Sequence, residues 1–226
     1  MRKFLLGAVL VLGLFGSVSA ANAVVVTVDT TVDNYGFGAP GCSLRNAVSS
    51  ADQDLPGFGS CLTGSGDDTI KLPGGTYELS LFGAGVDNSS GDLNVQSPDD
   101  LLIEPTGPDQ RVTIDGLYAE RILTRTGIGE LTLRNMALVK GQTALAPSAA
   151  SYGSEGGALR SVGKLNLDGM LLFDNRSGMI GGAIHNGGTG VLKVTNSTIT
   201  SNRSAYVFEM TVSGRIFCRG SRAVAI

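Results

Sequence analysis

Asp115, Glu155, Asp168 and Asp174 are acidic side chains set among short apolar repeats, and His185 is the one histidine of the chain. Two carboxylates across a groove could serve as acid and base in glycoside hydrolysis. An acidic Ca²⁺ cluster beside a basic residue could instead support proton abstraction in a lyase reaction. The local sequence assigns these residues plainer work. Asp115 precedes Gly116, and Asp174 precedes Asn175, so both read as turn residues. Asp168 follows the apolar Leu167 and faces solvent, where Arg134 and Thr195 would be its neighbours and an ion pair of small energetic weight would result. His185 follows Ile184 at a strand end, which predicts a ring packed over the strands. The pairs Asp67-Asp68 and Asp99-Asp100 stand beside Gly or Pro and read as turn and cap residues, because no spaced Asp-x-Asp loop surrounds them. No catalytic, cofactor-binding or metal-binding residue is assigned.

The elements that position these side chains repeat. LTLRNMALVKG (131–141), LNLDGMLLFDN (165–175) and LKVTNSTITSN (192–202) superpose almost residue for residue, and self-similarity of this kind signals stacked units that cannot bury their apolar faces alone. Other short alternating runs lie at Thr69–Leu72, Thr76–Leu81, Leu93–Val95, Leu101–Ile103 and Val112–Ile114, separated by Gly, Pro, Asn or Asp, and read as strands. Corresponding strands recur after 19, 34 and 27 residues from Val112 to Leu131, Leu165 and Leu192. Tight hairpins would return a partner strand within a few residues, so the spacing predicts an all-β, right-handed parallel β-helix over 67–204. Gly156-Gly157-Ala158-Leu159 and Gly181-Gly182-Ala183-Ile184, 25 residues apart, add a further strand to each coil. Leu131, Leu165 and Leu192 are expected to stack inside, as are Leu133, Leu167 and Val194, and Leu138, Leu172 and Ile199. Asn135, Gly169 and Asn196, and the positions Asn175 and Asn202, are expected to form turn ladders in which an amide bonds to the next coil or a left-handed backbone is required. Segment 143–155 reads as a loop leaving the stack.

Residues 1–23 have the form of a secretory signal peptide: Arg2 and Lys3, an apolar run from Phe4 to Phe15, then small residues that allow cleavage after Ala20 or Ala23. Removing Arg2 and Lys3 from the 17 basic side chains leaves 15 against 20 acidic ones, a net of −5, which speaks against a nucleic-acid partner. No second segment long enough to span a membrane follows. In an oxidising compartment Cys42 and Cys61 would close one loop, stabilising by about 3 kcal/mol on the chain-entropy view, and Cys218 is left over. Residues 24–66 read as an N-terminal cap. Val24 to Val28 forms a strand there, and Ser43 N-caps a short helix that sets Leu44, Ala47, Val48 and Ala51 on one face.

The motif Cys42-Ser43-Leu44-Arg45-Asn46-Ala47 resembles the signature of the CSLREA-domain family of exported bacterial β-helix proteins, with Asn46 where that family has glutamate. Asp68-Thr69-Ile70-Lys71-Leu72-Pro73-Gly74-Gly75-Thr76-Tyr77 and Gly181-Gly182-Ala183-Ile184-His185-Asn186 are similar to it as well, and the likeness runs from Val24 to Ser204. The resemblance implies a right-handed parallel β-helix of pectin-lyase-like type with a disulfide-linked cap. It implies little about activity, because one fold hosts many functions. The sequons at Asn88, Asn175, Asn196 and Asn202 arise largely from the repeat.

The reading that follows is an exported, non-catalytic scaffold, secreted or held at a bacterial cell surface, that adheres or binds polysaccharide through its faces and the 143–155 loop. The rival is a secreted polysaccharide lyase or hydrolase with an incomplete groove. After Ser204 the repeat pattern stops, and residues 205–226 read as an irregular tail of a fragment or of a frame shifted near residue 205. Translation of the downstream DNA in the other two frames is expected to give further Gly-Gly-Ala-Ile-like segments; their absence in both frames would overturn that expectation.

Overall fold

The computed structural model describes residues 22–83, 85, 87–143 and 153–205, together with the backbone of 216–219. The signal-peptide segment up to residue 21, most of the 143–155 loop and the side chain of Cys218 lie outside the described residues. Alternating apolar residues dictate what is seen. A strand directs successive side chains to opposite faces, so Leu-x-Leu and Ile-x-Leu runs bury one face and wet the other.

After β1 (Val25–Thr27) and the helix α1 (Leu44–Gln53), the chain forms β2 (Asp68–Leu72), β3 (Gly75–Glu78) and β4 (Leu93–Val95). A second pass gives β5 (Leu101–Pro105), β6 (Val112–Asp115) and β7 (Leu123–Arg125). The third gives β8 (Glu130–Arg134), β9 (Ala137–Val139) and β10 (Leu159–Ser161). The fourth supplies β11 (Lys164–Asp168), β12 (Leu171–Phe173), β13 (Arg176–Ser177) and β14 (Ile184–Asn186). The last described stretch holds β15 (Val191–Thr195), β16 (Ser197–Thr200), β17 (Arg203–Ser204) and β18 (Ile216–Arg219).

Each pass contributes one strand to each of several sheets. The first sheet runs β1-β2-β5-β8-β11-β15, the second β18-β16-β12-β9-β6-β3, the third β14-β10-β7-β4, and β13 pairs with β17. All ladders between named strands are parallel. The protein is thus mostly β-strand in parallel sheets, with one helix among the described residues.

Register brings like residues over like. Val26, Ile70, Ile103, Leu133, Leu167 and Val194 follow one another across the first sheet. Tyr77, Ile114, Leu138, Leu172 and Ile199 do so in the second, and Leu93, Leu123, Leu159 and Ile184 in the third. These rows meet in one buried cluster, in which each fully buried Leu or Ile contributes about 1.5–3 kcal/mol relative to exposure. The glycine doublets serve the close approach of successive layers. Gly156 and Gly181 have φ of +64° and +68°, and a Cβ on Gly182 would lie 2.7 Å from the backbone nitrogen of Arg203.

Helix α1 closes one end of this core against β1, β2 and β4. Ser43 begins it, its Oγ accepting from the Asn46 N–H at 3.1 Å while donating to the Asn34 carbonyl at 2.8 Å. Leu44, Ala47, Val48 and Ala51 face the strands. Arg45, fully buried, makes the main polar clamp. It donates to both carboxylate oxygens of Asp33, at 2.7 and 3.1 Å, and to the carbonyls of Asn88 and Gly91. Asp33 in turn accepts from the N–H groups of Ser80 and Leu81, so helix and strand connections are tied through one ion pair. Cys42 and Cys61 form a disulfide with Cα atoms 4.7 Å apart, tying the helix start to the segment beyond it.

Within the segment 205–226 expected to be irregular, the described residues are Ala205 and the backbone of 216–219. Ile216–Arg219 adds a parallel strand to the second sheet in register with Ser197–Thr200, since the unpaired backbone groups of an edge strand offer a template for pairing. Among the described residues no helix is long and apolar enough to cross a membrane.

Breaking a buried pair strands a charge, whereas breaking an exposed one does not. Arg45→Ala is therefore expected to lower unfolding free energy by about 3–5 kcal/mol in urea titrations, against about 1 kcal/mol or less for Arg134→Ala on the outer face of the first sheet.

Candidate functional site

Outside the third sheet, the residues that alternate with its buried Leu and Ile row are Asn94, Thr124, Arg160 and His185, in register on four strands. The row grades from buried Asn94 and Thr124 to partly exposed Arg160 and His185. Arg121 organises its inner end. Its Nε donates to the Gly156 carbonyl at 3.0 Å, Nη1 to Asp92 at 3.1 Å and to Thr124 Oγ1 at 2.8 Å, and Nη2 to the Gly153 carbonyl. Thr124 also donates to Asp92. Every arm of that guanidinium is engaged, so Arg121 holds Asp92, Thr124 and the 153–156 connection in place.

The outer end is less occupied. Glu155 accepts from the Gly153 N–H at 3.1 Å and approaches Arg160 Nε at 3.6 Å, an ion pair beyond hydrogen-bonding range. Among the described residues, Arg160 Nε and His185 Nδ1 are buried atoms with no hydrogen-bond partner, as is Asn186 Oδ1. Burial pushes the His185 imidazole below its ordinary value of 6.5. The charges of Arg160 and Arg121 act in the same sense and Glu155 opposes them, so the ring is neutral at neutral pH.

The acids singled out from sequence fall at separate places, each beside a cation. Asp115 meets Lys140 at 2.7 Å, Glu155 meets Arg160 at 3.6 Å, Asp168 meets Arg134 at 3.9 Å and Asp174 meets Arg176 at 3.2 Å. Asp168 ends a row on the first sheet in which Lys71, Glu104, Arg134 and Asp168 alternate in sign on successive strands. Hydrogen bonds from Thr195 and Asn196, helped by Arg134 and Lys193, hold the Asp168 carboxyl below its ordinary value. For Glu104, burial pushes the carboxyl up, but hydrogen bonds and charge from Lys71 and Arg134 outweigh it and the result is a lowered value. Asp115 ends β6 and Asp174 follows β12, two strands further along the second sheet. Tyr118 donates to Asp174, and the Arg176 guanidinium lies 4.3 Å from the Tyr118 ring centre. Leu117 and Tyr118 are both left-handed at φ 55°, with the Leu117 N–H donating to Asp115 at 2.9 Å.

The remaining acidic pairs cap backbone. Asp68 accepts from the N–H groups of Val24 and Ser65, Asp67 from that of Asp100, and Asp100 from that of Glu130; Asp99 accepts from the Ser97 hydroxyl. Among the described residues no group of three or more His, Cys, Asp or Glu is placed to hold a metal ion.

The turn positions divide into two kinds. Asn135, Gly169 and Asn196 have φ of 53°, 66° and 52°, and a Cβ on Gly169 would sit 2.2 Å from Asn135 Oδ1. Asn175 and Asn202 instead work through buried amides. Asn175 donates to the Leu138 carbonyl at 3.1 Å and accepts from the Gly141 N–H at 2.8 Å, while Asn202 accepts from the Asn175 N–H at 2.9 Å and donates to the Leu172 carbonyl at 3.0 Å. Of the sequon asparagines, Asn88, Asn175 and Asn202 are buried and Asn196 is exposed.

Sequence reasoning passed over Asp92, Arg121 and Arg160. Only Arg160 carried a signal: the two Gly-Gly-Ala segments, aligned, set Arg160 directly beside His185. Searches against protein-family models, curated proteins and solved structures return no match.

A lowered imidazole pKa in the fold means that the unfolded chain takes up a proton which the folded chain refuses. The stability linked to His185 is therefore complete above 6.5 and declines as pH falls from there through the lower folded value. Urea midpoints at pH 7 and pH 5.5 are expected to show a drop in the wild type that is smaller in His185→Gln.

Proposed function

We propose that the parallel sheets close into a right-handed β-helix of the CSLREA kind, and that the protein is an exported scaffold, secreted or displayed at a cell surface, which binds polysaccharide without cutting it. The observation that carries the non-catalytic reading is the pairing of each candidate carboxylate with its own cation at scattered places. A general acid needs a carboxyl whose pKa is raised toward the working pH, and Glu104 and Asp168 are moved the other way. Burial does raise Asp52 and Asp68, but both are occupied in accepting backbone N–H groups at the capped end.

Binding is supported by the outer faces. On the first sheet Thr69, Leu102, Thr132, Asn166 and Lys193 form one row beside the alternating charges, with strands about 4.8 Å apart. A row at constant strand spacing that is polar except at Leu102 suits a ligand that is itself a repeating chain. Export is supported by the Cys42–Cys61 disulfide, which persists in oxidising compartments, and by the basic and apolar leader. The CSLREA likeness is supported by Arg45, the arginine of the Cys-Ser-Leu-Arg motif, in its buried clamp on Asp33.

The test is a panel of soluble and insoluble polysaccharides scored for retention of the protein and for reducing ends and unsaturated products. Retention on at least one glycan with no product is expected. Product release would replace the scaffold with an enzyme, and failure to bind any glycan would sink the reading.

A further inference from the structure

We infer that Arg160 and His185 form a subsite for a single carboxylate on the bound ligand, at the outer end of the polar row on the third sheet. The inference deepens the polysaccharide reading and rests on it for what carries the carboxylate, an acidic sugar unit.

The two side chains are direct neighbours on adjacent parallel strands, β10 and β14, and both are partly exposed. Their contrast with Arg121 decides the assignment. Arg121 spends its donors on Asp92, Thr124 and two backbone carbonyls. Arg160, among the described residues, reaches only Glu155 and only at 3.6 Å. A guanidinium presents a planar fork of donors that matches a carboxylate in bidentate fashion, and this one is fixed in a strand with no hydrogen bond from its fork to a described residue. Beside it stands a partly exposed imidazole whose Nδ1 is buried and, among the described residues, has no partner, so a ligand meets the ring through its other nitrogen. A neutral imidazole offers one N–H donor and gains a second on protonation, so it complements an oxyanion lying on the guanidinium.

Charge selects the valence of the ligand. Arg160 and Arg121 are balanced by their partners Glu155 and Asp92, so the charge that offsets a bound anion is the one proton that His185 can take up. That proton neutralises a singly charged carboxylate, while a doubly charged sulfate would keep one uncompensated charge near Glu155. The groups facing His185 are Glu155, Arg160 and Arg121. A carboxylate added to them makes the imidazolium easier to form, so ligand binding and proton uptake reinforce one another.

Because the chain has one histidine, an untagged full-length protein gives one imidazole NMR titration. Sodium glucuronate is expected to raise the His185 pKa by about half a pH unit or more, with sodium sulfate at equal ionic strength leaving it unmoved. Arg160→Gln should abolish the response and Arg160→Lys should weaken it, each with a wild-type circular dichroism spectrum. No response in the wild type, an equal response in Arg160→Gln, or an equal response to sulfate would overturn the subsite. Glycan retention without a histidine response sinks the subsite and leaves the scaffold; a histidine response without retention upholds the subsite and sinks the polysaccharide as its carrier.

Discussion

A parallel ladder that slipped by one residue would turn Leu133 and Leu167 to water and drive Arg134 and Asp168 into the apolar interior. Strand side chains alternate with period two, so register decides at once which face is buried and which carries charge. The buried rows of the three sheets hold that register by hydrophobic burial, and everything on the outside is spaced by it. Arg160 lies beside His185, and Glu104 between Lys71 and Arg134, only because Leu159 lies over Ile184 and Ile103 over Ile70.

The interior is closed at the end where the chain begins. Helix α1 lays Leu44, Ala47, Val48 and Ala51 over the first layer, and Arg45 fastens it from inside through Asp33. The need for that closure is physical: an uncovered strand layer exposes both apolar side chains and unpaired backbone groups. At the opposite end of the first sheet, Leu192 is only partly buried where Leu131 and Leu165 are fully so, since β15 is the edge strand of that sheet among the described residues.

Strands, helix and disulfide were legible in the sequence because each leaves a local mark. Leu-x-Leu spacing, the Ser43 cap followed by apolar residues at helical intervals, and two cysteines around one loop need no knowledge of distant contacts. The scattered ion pairs were less legible. Asp168 beside Arg134 followed from stacking the repeats, whereas Asp115 with Lys140 and Asp174 with Arg176 depend on left-handed turns at Lys140 and Asp174 that no motif announces. Arg121 and Asp92 lie in connections outside the repeats, where aligning one repeat on another says nothing about partners. The strand Ile216–Arg219 lies outside the three superposable segments, so its pairing with Ser197–Thr200 could not be read from them.

The row Lys71, Glu104, Arg134 and Asp168 has a parity. Positive and negative side chains occupy alternate layers, so the electrostatic period is two passes of the chain while the hydrophobic period is one. Duplication of a single pass within this stretch would preserve the oily interior and yet set two like charges side by side on the surface, whereas duplication of a pair of passes would preserve both. Growth of such a molecule by copying its own segments is thereby biased toward even increments.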